Sequence, residues 1–99
     1  VARIINKALL QSYHSKKCII CNTQAEPHHI KSVGSGGHDL DDNLLSICRL
    51  HHHQAHAMGL RRFTDKFPQV ESELITKGWE LDEYTNKWVN YNLLEVDDE

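Results

Sequence analysis

The chain has no long hydrophobic run. None of its apolar stretches reaches the ~18 residues of a membrane-spanning helix, which excludes a helical membrane protein. No signal-peptide pattern opens it. Cysteine is scarce, with three residues at positions 18, 21 and 48. An odd count cannot close a complete disulfide framework, so a reducing, cytoplasmic setting is expected. Internal repeats and linker-like segments are also missing, so the 99 residues read as one domain, 1–99. A domain this short has a thin core and often needs a metal to hold it.

Histidine, by contrast, is in excess at eight residues. The stretch LSICRLHHHQAH, residues 45–56, gathers Cys48, His51, His52, His53 and His56. Each imidazole needs a partner and titrates near neutral pH, so such a gathering calls for a metal or another explanation. The net charge of −3 speaks at first against a nucleic-acid partner, but it is unevenly spread. Residues 1–67 carry nine Lys/Arg against five Asp/Glu, a net of +4, and residues 68–99 carry two against nine, a net of −7. All the cysteines and histidines lie in the basic part. This suits a DNA-facing half followed by an acidic tail.

Residues 2–13 (ARIINKALLQSY) place Ile4, Ile5, Ala8, Leu9 and Ser12 on one face, the spacing of an amphipathic helix. CIIC follows, with Asn22 turning the chain into a knuckle that presents two sulfurs. EPHHIK, 26–31, reads as a short strand, and Pro27 implies an edge position. SVGSGGHDLDDN, 32–43, is a loop whose three glycines permit positive φ and whose acids are expected outside the core. Leu44 to Ile47 reads as a second strand and Arg49 to Met58 as a helix ended by Gly59. Another helical turn or two follows over 60–67. Pro68 opens a further helix with Val70, Leu74 and Ile75 inward, and Gly78 ends it. WELDEYTNKWVNY, 79–91, reads as a loose hairpin around Thr85-Asn86-Lys87, and LLEVDDE, 93–99, as a frayed acidic end.

Two sets of ligands emerge from the spacing. Cys18-x-x-Cys21 can place two thiolates on one tetrahedral ion, and Cys48-x-x-His51 can supply the other two donors, the composition of a closed structural zinc site. A redox CxxC is disfavoured, because no βαβ context surrounds it and Cys48 would be left without a role. Zinc there leaves His28, His29, His52, His53 and His56. Four residues apart on a helix, His52 and His56 share a face. His28 and His29 are neighbours on a strand and point to opposite faces, so one of them can complete an open, three-ligand metal site while the other remains as a free base. An alternative frame pairs His53 with His56 and gives His52 to the zinc. The match between Cys-x-x-His and Cys-x-x-Cys favours the first frame, which leaves His53 exposed or in a supporting role.

In this order, CxxC, EPHHI, a GG-containing loop, Asn43-Leu44 and CxxHHxxxH resemble the HNH endonucleases of the ββα-metal (His-Me finger) superfamily, closest to the zinc-stapled phage and prophage type. The resemblance covers about residues 18–57. It implies a small ββα-metal core with a zinc knuckle; joined to the N-terminal helix and the mostly helical C-terminal extension over about 60–94 read from spacing, the expected fold is α+β. It implies a metal-dependent DNA endonuclease in which His29 is the general base, Asn43 holds the loop that orients that base, and His28, His52 and His56 bind one catalytic ion. That ion is Mg²⁺, Mn²⁺, Ni²⁺ or Zn²⁺, and three imidazoles favour the transition metals over Mg²⁺. The family's helix usually carries CxxCH, and here His51 stands in place of the second cysteine. Lys31, Arg49, Arg61 and Arg62 are the candidate phosphate contacts. DNA is the expected partner, with other phage or recombination proteins beside it. The competing reading is a non-catalytic, zinc-stabilised nucleic-acid-binding module. It would need the four zinc ligands but not His28, His29, Asn43, His52 and His56 together.

Overall fold

The computed structural model describes residues 3–93 and 95–97. Ala2 of the expected first helix, and Leu94, Asp98 and Glu99 of the acidic end, lie outside the described residues. The first helix, α1 (Lys7–Tyr13), is shorter than its apolar spacing predicts. Asn6 stops it: its side chain accepts from the Leu9 N–H at 3.0 Å and caps the helix there. Residues before Asn6 pair elsewhere. The Ile4 N–H donates to His38 Nδ1, and the Asp39 N–H donates to the Ile4 carbonyl. Ile4, Ile5 and Ala8 are therefore exposed, and Tyr13 is the helix's buried side chain.

The knuckle follows. Asn22 takes the left-handed conformation at φ 61° and donates its N–H back to the Cys18 carbonyl. Strands β1 (Glu26–His29) and β2 (Leu44–Ile47) pair antiparallel, with Glu26 opposite Ile47, His28 opposite Leu45 and His29 opposite Leu44. Opposed residues share a face, so Glu26, His28, Leu45 and Ile47 lie on one side of the pair. Leu45 and Ile47 enter the main core with Ile30, Ala55, Leu60, Phe63, Val70, Leu74, Trp79 and Trp88. On the other side the Ser46 hydroxyl donates to the Lys17 carbonyl and its own carbonyl accepts from the Ile19 N–H, which anchors the knuckle on β2.

The connection between the strands contains two short 3-10 turns, Val33–Ser35 and Asp41–Asn43. Of its three glycines only Gly36 uses positive φ, at 90°. Gly37 is required for a different reason: a Cβ there would lie 1.8 Å from the Lys31 carbonyl oxygen. The expectation that the loop's acids stay outside the core fails at Asp39, which is fully buried. Its two oxygens find three polar partners, Arg3 and Asn6 from the N-terminal segment and His29 from β1, and these offset the cost of burying a charge.

Helix α2 (Arg49–Met58) runs from β2, so β1, β2 and α2 form a ββα unit. Gly59 ends it, and α3 (Leu60–Lys66) and α4 (Pro68–Thr76) follow. Val70 and Leu74 are buried as predicted, but Ile75 is 58% exposed. It sits about 100° around the helix from Leu74, beyond the apolar stripe. The hairpin expected at 79–91 forms as β3 (Trp79–Asp82) and β4 (Lys87–Asn90). The acidic end is less frayed than predicted. Strand β5 (Glu95–Val96) pairs with β4, and the buried Asp97 carboxylate accepts from the Trp88 N–H. The α+β class and the small ββα core with a knuckle, N-terminal helix and C-terminal extension stand. The extension is helical first and then sheet.

Candidate active site

The donor atoms of Cys18, Cys21, Cys48 and His51 all lie within 4.8 Å of one another. Sulfurs held ~2.3 Å from a tetrahedral zinc stand ~3.8 Å apart. Cys21 Sγ and Cys48 Sγ are 3.7 Å apart, and His51 Nδ1 lies 3.7 Å from Cys18 Sγ and 3.1 Å from Cys48 Sγ. The set therefore fits a structural zinc site. Its two halves are local in sequence. The knuckle turn brings Cys18 and Cys21 together, and Cys48 at the head of α2 stands one turn from His51. The Ile20 N–H donates to Cys18 Sγ, which suits a sulfur carrying negative charge. Burial pushes the Cys18 thiol up, whereas the Thr23 hydroxyl beside Cys21 holds that thiol down at about 6. A dication would draw both into the thiolate form. The Phe67 ring packs edge-on against His51, with centroids 5.2 Å apart.

A second cluster forms between β1 and α2. The ring nitrogens of His28, His52 and His56 also converge within 4.8 Å. The ring centroids are 4.6 Å apart for His28 and His52, 5.1 Å for His28 and His56, and 4.7 Å for His52 and His56. The cluster is graded in exposure: His28 is fully buried, His52 half-buried and His56 exposed. This is a site with a closed floor and an open mouth. His53 is exposed on the outer side of α2 and belongs to neither cluster.

Glu26 is a site residue that the sequence reading passed over. Its Oε1 accepts from His52 Nδ1 at 2.9 Å. A carboxylate is acceptor-only, so the His52 proton resides on Nδ1 and the Nε2 lone pair is left for a ligand. Burial and the neighbouring His28 lower the His52 pKa against the opposing pull of Glu26, which favours a neutral, metal-competent ring. The signal was available in the sequence. Glu26 is two residues before His28 on a strand, which is the same-face spacing.

His29 takes the other side of β1. Its Nε2 lies 2.9 Å from Oδ1 of the buried Asp39. The same oxygen accepts from Arg3 at 2.6 Å, and Oδ2 accepts from the Asn6 N–H at 2.8 Å. Burial raises the Asp39 pKa, but the bonds from Asn6, His29 and Arg3 outweigh it and hold the carboxyl at about 2. Asn43, fully buried, spans the base of the loop. Its Nδ2 donates to the carbonyls of Lys31 at 3.1 Å and His38 at 3.0 Å, and its Oδ1 accepts from the Lys31 N–H at 2.9 Å.

The four basic candidates are scattered. Arg49 is 80% exposed, with one guanidinium nitrogen 3.6 Å from Glu26 Oε2. Arg62 is exposed and Lys31 half-buried. Arg61 donates to Asp65 and Asn86 and lines a 410 Å³ cleft with Trp79, Leu81 and Trp88. None of the clustered histidines or cysteines lines that cleft.

A ββα unit thus carries a Cys₃His cluster at the head of its helix and an open imidazole cluster along it, two donor sets that could each hold a metal ion. The comparison with protein families makes this particular. The chain belongs to the HNH nucleases, through a family model described as "Putative HNHc nuclease" that matches residues 5–87. Comparisons with curated proteins and with solved structures gave no match. No helix among the described residues is long and apolar enough to cross a membrane.

Proposed function

We propose that the chain is a metal-dependent DNA endonuclease that hydrolyses phosphodiester bonds. It is read as one domain, with its motif core at about 18–57 and an accessory extension from about 60. The observation that carries the reading is the convergence of His28, His52 and His56 between β1 and α2, with a further imidazole, His29, held separately on the opposite face of the same strand. A binding module has no use for both. Cys18, Cys21, Cys48 and His51 hold a structural zinc that ties the knuckle to α2.

A divalent ion bound by His28, His52 and His56 supplies Lewis-acid charge at the scissile phosphate, with Mn²⁺, Ni²⁺ and Zn²⁺ better suited than Mg²⁺ to three imidazoles. His29 removes the proton from the attacking water. Asn43 keeps the loop opposite His29 in place, and Glu26 fixes the His52 ring. Arg49, Arg62 and Lys31 are offered to backbone phosphates, and Arg61 more weakly because of its bonds to Asp65 and Asn86.

Plasmid nicking tests the reading. Protein stripped of labile metal is given Mg²⁺, Mn²⁺, Ni²⁺ or Zn²⁺ in turn, with His29→Ala beside it. Ion-dependent nicking by the wild type alone is expected, with metal and DNA binding retained in the variant. Equal nicking by His29→Ala would refute the base. DNA binding without cleavage under any ion would favour the binding module.

A further inference from the structure

We propose that Asp39, clamped by Arg3 and the Asn6 backbone, is a positioning residue that holds His29 as its Nε2–H tautomer, so that Nδ1 is the nitrogen that accepts the proton from water. The proposal rests on the reading of His29 as the general base and names the atom and the device behind it.

The chemistry follows from the contacts. A carboxylate only accepts hydrogen bonds, so the 2.9 Å contact between Asp39 Oδ1 and His29 Nε2 requires the ring proton to sit on Nε2. The lone pair is then on Nδ1, and no other hydrogen bond holds the ring among the described residues. When water gives up a proton, one O–H bond breaks and one Nδ1–H bond forms. The positive charge that develops on the ring faces Asp39 through Nε2–H. This is the arrangement in which a carboxylate sets a base's tautomer and orientation without itself taking a proton.

Asp39 is immobile enough for the task. It is fully buried, and its backbone N–H donates to the Ile4 carbonyl at 2.9 Å. Oδ2 serves Asn6, and Oδ1 is shared between Arg3 and His29. A carboxylate that only tethered the N-terminal segment would be satisfied by Arg3 and Asn6. The contact to His29 is additional and links a segment more than twenty residues upstream to β1. Arg3 also offsets the Asp39 charge, so the pair orients the ring without presenting a bare anion to incoming phosphate.

The test combines kinetics with the ring's own nitrogen signals, on the full chain with zinc in the Cys₃His cluster. In ¹⁵N-histidine-labelled wild type, long-range ¹⁵N–¹H correlations report which His29 nitrogen carries the proton, and Nε2–H is expected. In Asp39→Asn, kcat for nicking should fall ~10²–10⁴-fold, while KM for DNA and Mn²⁺ affinity stay within about threefold and the His29 tautomer becomes mixed. A wild-type ring protonated on Nδ1 would overturn the proposal and needs no variant to fold. So would a folded Asp39→Asn protein with wild-type kcat. An inert wild type that still shows the Nε2–H ring would uphold the positioning by Asp39 and overturn the nuclease reading instead.

Discussion

Replacing Asn43 with alanine is expected to destabilise the protein by about 3 kcal/mol. The side chain is fully buried and makes three hydrogen bonds, two as donor to the Lys31 and His38 carbonyls and one as acceptor from the Lys31 N–H. Each buried bond contributes ~1 kcal/mol net, and its loss leaves main-chain groups where water enters poorly. For a domain near 100 residues, 1 kcal/mol moves Tm by ~4–8 °C, so the expected fall is roughly 12–24 °C. The assay is thermal and urea unfolding followed by circular dichroism, with His53→Ala as reference. His53 is exposed and in neither cluster, so its loss should stay within ~0.5 kcal/mol. Asn43→Asp should not rescue, because it keeps the acceptor but sets a carboxylate against two carbonyls. A loss below ~1 kcal/mol in Asn43→Ala would refute the idea that this side chain closes the loop.

Cys18→Ser, or a strong chelator, is expected to unfold the domain. Structural zinc contributes on the order of 10 kcal/mol in finger-sized units, comparable to the whole stability of a small domain, and a native-like, zinc-free Cys18→Ser protein would exclude the site. Glu26→Ala should weaken metal binding at the histidine cluster ~10–100-fold by releasing the His52 ring, with the Cys₃His site unaffected; unchanged Mn²⁺ affinity by calorimetry would refute this. Asp39 has a folded pKa of about 2, below the ~3.9 of an unfolded Asp, so its contribution is complete above about pH 5 and is lost as pH falls toward 2. The stability gap between wild type and Asp39→Asn should therefore narrow over that window, and parallel urea-derived curves would count against it.

Local spacing carried the sequence reading furthest. Cys18 and Cys21 across one turn, His52 and His56 across another, and the alternation of His28 and His29 on a strand are all set within a few residues. These short-range rules preform the halves of each cluster, and packing of the knuckle and of β1 against α2 then joins the halves. Arg3 and Asp39 were not legible in the same way. Asp39 meets Arg3 from 36 residues away, a docking that no local pattern encodes. Strand alternation puts Glu26 on the face of His28, but its partner His52, 26 residues on, is set by docking. The apolar spacing of Ile4, Ile5, Ala8 and Leu9 misled for a related reason. It is helical in period, but the Asn6 cap and the pairing of Ile4 with His38 and Asp39 win locally. Polar composition likewise placed the loop's acids outside, because composition cannot reveal that a carboxylate will find three donors.

The extension from Leu60 onward is not decoration on the ββα unit. The turn that delivers Asn43 is braced from both ends of the chain. The Tyr13 hydroxyl donates to Asp41 Oδ1 at 2.7 Å, and burial and that carboxylate push its pKa up, so it remains a donor. Lys77 Nζ donates to the Asp41 carbonyl at 2.8 Å, and the indole N–H of the buried Trp79 donates to the Asp42 carbonyl. A two-stranded sheet alone is marginal in water and could not hold the long connection between its strands. Here α1, the end of α4 and the start of β3 converge on residues 41 and 42, and Asn43 carries that rigidity into the loop facing His29. The family match accords with this: it runs from 5 to 87 and so takes in Tyr13, Lys77 and Trp79, well beyond the ligand-bearing segment.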